Sequence, residues 1–428
     1  MNNILLLAAI IMLVLLFLKV PVYLAVLGGS MVYFALNPHV SAAVFAQQTI
    51  IGTEKISLLA IPFFVCAGIF MNYTGVTKRI MDFCEVVTGR LPGGLAQVNI
   101  LLSTVMGGLS GSNIADAAME SKMMVPEMTK KGFSLEFSSV VTAASSMITP
   151  LIPPGIAMIL YGCIANVSIG KLFVSGLGVG ALLCITMMIL VGVISKKRNY
   201  GNISTEKMTG ARFWKAFKPA ILPLLLPIII IGGIRIGVFT ATEAGAVAII
   251  YAAFLGIIYK EMHVKDMIQG LRETACTTTS IMLIVSAASV FSWILTKEQI
   301  PQALTAWMLT NIHSKVVFLI VVNIFLLIVG MFIEGNASMI ILVPLLAPIA
   351  KAYGINEIQF AMIYIFNNAI GALSPPMGTL MFVTCSITKC KTAAFIKEAV
   401  PFYVLLIVNL LILTWFEPFT TFLVNLVY

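Results

Sequence analysis

Long apolar stretches separated by short polar links run along the whole chain. They cover residues 4–18, 56–73, 177–194, 219–234, 242–259, 317–333 and 399–416. Each is as long, or nearly as long, as the roughly 20 apolar residues that a helix needs to cross about 30 Å of hydrocarbon. The pattern therefore predicts an all-α polytopic membrane protein embedded in a lipid bilayer.

The composition supports this class of protein and excludes others. Hydrophobic residues make up 60% of the chain and charged residues only 10%, too few charges for the surface of a soluble domain. The seven cysteines are scattered and the three histidines lie far apart, so we expect no catalytic residue and no transition-metal site. The formal charge of +9 is explained by topology, since most Lys and Arg residues fall in alternate loops. We expect periplasmic N- and C-termini and no nucleic-acid partner.

The two halves of the chain resemble each other. A shift of 222 residues aligns Pro126 with Pro348, Gly132 with Gly354, Pro153-Pro154 with Pro375-Pro376 and Cys163 with Cys385. A shift one residue larger aligns Gly107 with Gly330 and Asn113 with Asn336. Because an odd number of crossings separates corresponding elements, we expect two inverted repeats, an arrangement typical of secondary transporters.

Proline interrupts an apolar helix at corresponding places in the two halves. The stretches read ITPLIPPGIAM at 148–158 and NNAIGALSPPMGT at 367–379. Proline removes a backbone donor and clashes with the preceding turn, at a cost of about 3 kcal/mol or more. Lipid cannot satisfy the freed backbone groups, so protein or a water-filled cavity must cover the break. The free carbonyls of a broken helix can bind a cation, and a simple proline kink is the alternative interpretation.

Two further stretches predict the tips of helical hairpins. GGLSGSNIAD at 107–116 and GMFIEGNAS at 330–338 each separate apolar runs that we consider too short to cross a membrane alone. We expect two re-entrant hairpins whose tips meet the broken helices, with ordinary packing through Gly and Ser as the alternative. Asp116 and Glu334 lie at these tips, and a buried carboxylate in a membrane is usually functional. A water-exposed hairpin mouth with no role in binding is the alternative for both.

A third stretch, GVFTATEAGAVA at 237–248, places Thr240 and Glu243 at the start of an apolar helix. This spacing predicts a helix N-cap with an acidic residue in the first turn, a structural role.

With these stretches in this order, the chain resembles the large membrane subunit of tripartite ATP-independent periplasmic (TRAP) transporters over essentially its whole length. The resemblance implies an elevator-type secondary transporter with a scaffold and a transport domain, in the bacterial inner membrane. It implies sodium-coupled import of an organic acid, of the sialic acid or C4-dicarboxylate type. It also implies two partners, a small four-helix membrane subunit and a periplasmic substrate-binding protein, and it implies neither an enzymatic activity nor an organic cofactor.

The resemblance also assigns sites. It implies a first sodium site formed by Ser110, Ser112, Asn113, Ser145, Ser146, Thr149 and Pro150. It implies a second sodium site formed by Gly335, Asn336, Asn367, Asn368, Gly371 and Thr379. It places the substrate near Asp116, Ser112, Glu334 and Asn336. The second tip lacks the Ser-x-Ser arrangement of the first, so the two ligand sets are not equivalent.

The domain boundaries that we expect follow from these elements. They are 1–56 for N-terminal scaffold helices, 57–170 for repeat 1 (hairpin about 94–125, broken helix about 134–167), 171–275 for connecting scaffold helices with a cytoplasmic loop at 195–218, 276–390 for repeat 2 (hairpin about 316–349, broken helix about 357–388), and 391–428 for a C-terminal scaffold helix.

Three rival functions are weighed against this interpretation. A single-component cation-coupled carrier for dicarboxylates or other anions would share the repeats and broken helices. An intramembrane hydrolase would need a nucleophile and base at membrane depth, and no His or Lys lies near the tips. A passive channel would need a continuous polar stripe instead of paired breaks. The sequence also lacks the Lys-Ser/Thr of a phosphate-binding loop, so we expect an ion gradient or a partner to supply the energy.

Overall fold

The computed structural model describes residues 3–18, 20–200 and 209–428. These residues form twenty α-helices and two 3₁₀ segments, with no β-strand among them. The predicted all-α architecture is confirmed.

The N-terminal helices lie against a long helix from the second half of the chain. They are α1 (Asn3–Phe17), α2 (Val22–Leu36) and α3 (Ala42–Ile51). Leu5 and Tyr33 from this group are buried with Val290 and Ile294 of that long helix, and the Tyr33 hydroxyl donates a hydrogen bond to Glu298. The N-terminal segment is thereby fixed to the second half.

The first repeat consists of six α-helices with two 3₁₀ segments. They are a 3₁₀ segment (Ile56–Leu59), α4 (Ala60–Tyr73), α5 (Val76–Thr88), α6 (Gly94–Ser110), α7 (Asn113–Lys130), α8 (Leu135–Ser145), a second 3₁₀ segment (Ser146–Leu151) and α9 (Ile156–Ala165). The α-helical ladder of α8 therefore stops before Pro150, and regular helix resumes only after the Pro-Pro pair, as expected for residues that lack a backbone donor.

Three helices connect the repeats. They are α10 (Ile169–Lys197), α11 (Gly210–Arg235) and α12 (Ala241–Tyr259). Of the loop expected at 195–218, residues 201–208 lie outside the described part of the chain. The predicted N-cap of α12 is confirmed: Thr240 and Glu243 form a reciprocal capping box, each side chain accepting from the other's backbone N–H.

The second repeat has six α-helices in the same order as the first. They are α13 (Val264–Lys297), α14 (Ile300–Asn311), α15 (Lys315–Phe332), α16 (Gly335–Ala352), α17 (Glu357–Leu373) and α18 (Thr379–Thr388). Two more helices follow it, α19 (Thr392–Trp415) and α20 (Pro418–Val427). The boundary expected between 275 and 276 falls inside α13, which is continuous through it. The segment after 391 contains two helices, α19 and α20.

Left-handed backbone conformations recur at corresponding positions of the two repeats. Three pairs of residues correspond. Gly75 precedes α5 as Gln299 precedes α14, and Gly132 follows α7 as Gly354 follows α16. Asn166 ends α9 as Lys389 ends α18. Since residues other than glycine rarely adopt positive φ, this spacing supports the internal repeat independently of residue identity. The Pro153-Pro154 and Pro375-Pro376 peptide bonds are both cis.

Eight helices within the described ranges are long and apolar enough to cross a membrane, and the segment Leu135–Leu151 forms a further candidate with Ile156–Ala165 across a 42° bend. Two of the eight are α15 and α16, each 18 residues long. Our argument that the apolar runs around the second tip are too short to cross alone is therefore wrong. The helices extend beyond the apolar runs that we counted, 316–329 and 337–349, because α15 begins at Lys315 and ends at Phe332 and α16 runs from Gly335 through Lys351 to Ala352.

Candidate functional site

Tip 1, which we define as residues 107–113, is a sharp turn between α6 and α7. Gly111 ends α6 with a φ of 63°, a conformation that favours glycine. Ser112 is the N-cap of α7, its Oγ accepting from the Ala115 N–H at 3.4 Å. Asp116 lies in the first turn of α7, where a negative charge is favoured by the helix dipole. The sequence thus ends one helix and starts the next within two residues.

Tip 2, which we define as residues 330–336, joins α15 to α16. Glu334 is the N-cap of α16 and accepts hydrogen bonds from the Ala337 N–H at 3.1 Å and from the Asn336 side-chain amide at 2.9 Å. A carboxylate replaces the serine found at the corresponding turn of tip 1. The two tips therefore share a helix-turn-helix geometry and differ in charge.

Tip 1 packs directly on the first helix break, which we define as residues 146–155 (break 1). A Cβ atom added to Gly107 would lie 2.9 Å from the Cα of Thr149, and one added to Gly111 would lie 2.7 Å from the carbonyl oxygen of Pro154. The Ile156 N–H points to the Gly111 carbonyl oxygen at 3.4 Å. Glycine is required here because any side chain would separate the tip from the break.

Tip 2 packs on the end of α17, just before the second break, which we define as residues 374–378 (break 2). A Cβ atom added to Gly371 would lie 2.6 Å from the Cα of Gly330. The Asn368 side-chain amide donates to the Gly335 carbonyl oxygen and to the Ser338 hydroxyl, both at 2.8 Å. The predicted meeting of each tip with its broken helix is present in both halves.

Asp116 lies behind tip 1. It is 2% exposed, and its Oδ2 accepts a hydrogen bond from the Thr149 hydroxyl at 2.7 Å. The carboxylate thereby connects α7 to break 1. Ser145 and Ser146, where α8 ends, donate their hydroxyl hydrogens to the carbonyls of Thr142 and Ala143. The oxygen lone pairs of these buried hydroxyls are the polar groups that remain for a ligand.

A small cavity of about 60 Å³ lies where both tips and both broken helices come together. Its polar side chains are Asn113, Glu334, Asn336, Asn368 and Thr379. Of the residues assigned to the two expected sodium sites, Asn113 and Pro150 of the first and Gly335, Asn336, Asn368 and Thr379 of the second line this cavity, and the others do not. Its size suits an ion or a few waters.

A second cavity of about 400 Å³ lies between the two tips and the helices α4 and α13. Ser112, Glu334 and Asn336 form its wall on the tip side, and Asn72, Thr277 and Ser280 add polar groups on the other side. This volume falls within the roughly 300–1,000 Å³ of ligand pockets. Glu334 and Asn336 border both cavities, so the two cavities share a wall.

Two expected site residues have other contacts. Asp116 does not line the larger cavity, because its carboxylate bonds to Thr149 behind the tip. Asn367 donates to the carbonyl and side-chain oxygens of Asn323 in α15, at 3.1 and 2.8 Å, while its neighbour Asn368 faces tip 2.

Sequence reasoning missed one buried carboxylate in this region. Glu120 is fully buried in α7 and bonds to Ser103 of α6 at 2.6 Å. It follows Asp116 by four residues, a spacing that puts both carboxylates on one face of the helix. That spacing was the signal available in the sequence.

The fold and these paired sites define a polytopic, all-helical membrane permease. The chain belongs to the family described as "Tripartite ATP-independent periplasmic transporter, DctM component", whose model matches residues 9–419. The sequence resemblance to the large membrane subunit of these transporters is confirmed.

Curated relatives cover nearly the whole chain. The sialic acid TRAP transporter large permease SiaM of Vibrio cholerae is 38% identical over 413 residues, covering 96% of both chains. The C4-dicarboxylate TRAP transporter large permease DctM of Pseudomonas aeruginosa is 35% identical, covering 93% of both. Among solved structures, the Alcanivorax borkumensis YdaH transporter matches with a TM-score of 0.61 at 14% identity, covering 95% of this chain and 98% of that one, and shows a shared fold.

Proposed function

We propose that this permease imports a small organic anion across the bacterial inner membrane, coupled to sodium. The named substrates of its relatives support the anion class: sialic acid, C4-dicarboxylates, 2,3-diketo-L-gulonate and isethionate are all anionic at neutral pH. The substrate of this chain is an organic acid of the sialic acid or C4-dicarboxylate type.

The observation that carries the proposal is the convergence of both tips and both broken helices on one small cavity. Hydroxyl, amide and carbonyl oxygens of this kind are hard ligands, which suit a hard cation such as sodium. The first sodium site is formed by the tip 1 residues Ser110, Ser112 and Asn113 with Ser145, Ser146, Thr149 and Pro150. The second is formed by the tip 2 residues Gly335 and Asn336 with Asn368, Gly371 and Thr379, whereas Asn367 is engaged by Asn323.

The larger cavity is the substrate site in this proposal. The N-termini of α7 and α16 both reach it through Ser112 and Asn336, and helix N-termini favour an anion. Because Glu334 and Asn336 border both cavities, occupation of one changes the wall of the other. Binding of sodium and of the anion is then reciprocal, each raising the affinity for the other by the same factor.

The architecture also supports an elevator mechanism. Helices α4 and α13 face the tips across the larger cavity and serve as scaffold, while the hairpins and broken helices move as the transport unit. The scaffold presents exposed apolar side chains, among them Ile250, Ile257 and Ile268 on α12 and α13. We propose that a small four-helix membrane subunit packs on this side, that a periplasmic binding protein delivers the substrate, and that both termini are periplasmic.

Uptake into proteoliposomes tests the function. Vesicles that contain this chain, the small subunit and the binding protein should accumulate the organic acid under an inward sodium gradient. Equal uptake with potassium in place of sodium, at a matched proton gradient, would refute sodium coupling. A second experiment omits the small subunit. Uptake should then stop if the chain works only in a tripartite transporter, and should continue if the chain is a single-component carrier.

A further inference from the structure

Glu120 is a buried residue of α7 that has no counter-charge among the residues that the structure describes. It is 0% exposed, its Oε2 lies 2.6 Å from the Ser103 hydroxyl of α6, and its Oε1 has no hydrogen-bond partner in the described part of the chain. No salt bridge reaches it within the described residues. An isolated ionised carboxylate in such a place is strongly disfavoured.

A neighbouring carboxylate makes the charged form of Glu120 still less favourable. Asp116 lies one turn earlier on the same face of α7 and is also buried. Two negative charges at this spacing repel each other. Among the described residues, the other titratable side chain that interacts with Glu120 is the buried Cys84 of α5, a thiol that supplies no positive charge. Inner-facing polar residues of α6 and α8, such as Asn99 and Thr142, are neutral.

The contacts around Glu120 determine which groups donate hydrogen bonds and which accept them. The Ser103 hydroxyl has a single hydrogen but two short contacts, to Glu120 Oε2 at 2.6 Å and to Ser145 Oγ at 2.8 Å. Ser145 in turn donates to the Thr142 carbonyl at 3.1 Å. All three contacts are hydrogen bonds at once only if Glu120 carries a hydrogen and donates it to Ser103.

We propose that Glu120 is a neutral carboxylic acid that positions Ser145, and through it the end of α8 at break 1. The chain of hydrogen bonds runs from Glu120 to Ser103, from Ser103 to Ser145, and from Ser145 to the Thr142 carbonyl. It leaves the Ser145 oxygen with one lone pair accepting from Ser103 and the other available to a ligand. An effect on sodium binding rests on the proposed function, in which Ser145 belongs to the first sodium site. The protonation of Glu120 does not rest on the proposed function.

Infrared spectroscopy of the purified transporter complex tests the protonation state. The spectrum of the wild-type protein should contain a carboxylic acid C=O band that is absent from Glu120→Gln and retained in Glu127→Gln, a control on the exposed face of the same helix. A wild-type spectrum identical in this region to that of Glu120→Gln overturns the proposal. This measurement does not depend on sodium coupling.

Sodium-dependent uptake tests the positioning role. Glu120→Gln keeps an uncharged donor to Ser103, so its half-saturating sodium concentration should stay within about twofold of wild type. Glu120→Ala and Ser103→Ala interrupt the chain and should raise that concentration about fivefold to tenfold, as expected for one lost buried hydrogen bond. A Gln variant as impaired as the Ala variant overturns the proposal. If wild-type uptake is independent of sodium, the proposed function fails and the infrared result still decides the state of Glu120.

Discussion

Thr149 and Asp116 join the first helix break to the first hairpin: the Thr149 hydroxyl donates to Asp116 Oδ2 over 2.7 Å, and both residues are buried. The residues are 33 positions apart in sequence. The bond holds break 1 against the first turn of α7, because separating them would leave a buried carboxylate oxygen without its donor.

The first prediction concerns this bond. Thr149→Val removes the donor and should destabilise the packing of tip 1 on break 1 by about 1–3 kcal/mol, the cost of an unsatisfied buried polar group. We expect a lower melting temperature of the purified complex and weaker sodium-dependent uptake. Thr149→Ser keeps the hydroxyl and is the matched control. Equal behaviour of the Val and Ser variants would show that the bond is unimportant.

The second prediction uses two serines with the same local role. Ser112 caps α7 and Ser168 caps α10, each accepting from a backbone N–H at 3.4 Å. Replacing either by Ala should cost about 1 kcal/mol of helix capping. Only Ser112 borders the larger cavity, so only Ser112→Ala should also change the sodium dependence of uptake and the affinity for the organic acid. An unchanged sodium dependence in Ser112→Ala would place the ion elsewhere.

The third prediction concerns the close approach of α15 and α17. Gly371→Ala would place its Cβ 2.6 Å from Gly330 and push tip 2 away from α17, at a cost of about 1–3 kcal/mol for overpacking. Uptake should be strongly reduced. Gly232→Ala, in a helix position with no neighbouring atom within 4 Å, should leave uptake unchanged. Full activity of Gly371→Ala at normal protein levels would contradict the packing described here.

The fourth prediction separates the role of a buried asparagine in the site from its role in folding. Asn368 donates two hydrogen bonds around tip 2. Asn409 of α19 also donates two, to the Thr186 hydroxyl of α10 and to the Leu405 carbonyl of its own helix. Ala at either position should lower stability by about 1–3 kcal/mol. Asn368→Ala should in addition raise the sodium concentration needed for half-maximal uptake, which titrations of both variants compare. The same sodium response in both would assign Asn368 a structural role alone.

Features that depend on local chemistry could be predicted from the sequence. The Pro-Pro stretches interrupt helices because proline cannot donate, and the Thr240–Glu243 pair caps a helix because its spacing allows it. Counting consecutive apolar residues failed around tip 2 because α15 and α16 continue beyond the apolar runs, through charged residues such as Lys315 and Lys351.

Contacts between distant helices could not be predicted in this way. Asn367 and Asn368 are adjacent in sequence, but successive helix residues are rotated by about 100°, so one faces α15 and the other faces tip 2. The spacing of Glu120 from Asp116 could be seen in the sequence, but its bond to Ser103, and the bond of Ser103 to Ser145, depend on how α6, α7 and α8 pack together.

The glycine contacts of the two tips are made by backbone atoms, whereas the larger cavity is lined by side chains. The backbone contacts are alike in the two halves: Gly107 packs against Thr149, and Gly330 packs against Gly371. The side chains at the two turns differ, Ser112 in one half and Glu334 in the other. In the proposed function, substrate recognition and the packing of the tips therefore depend on separate residues. A change of substrate is then expected from exchanging cavity-lining residues such as Asn72, Thr277 and Ser280, with the four residues of the backbone contacts left as they are.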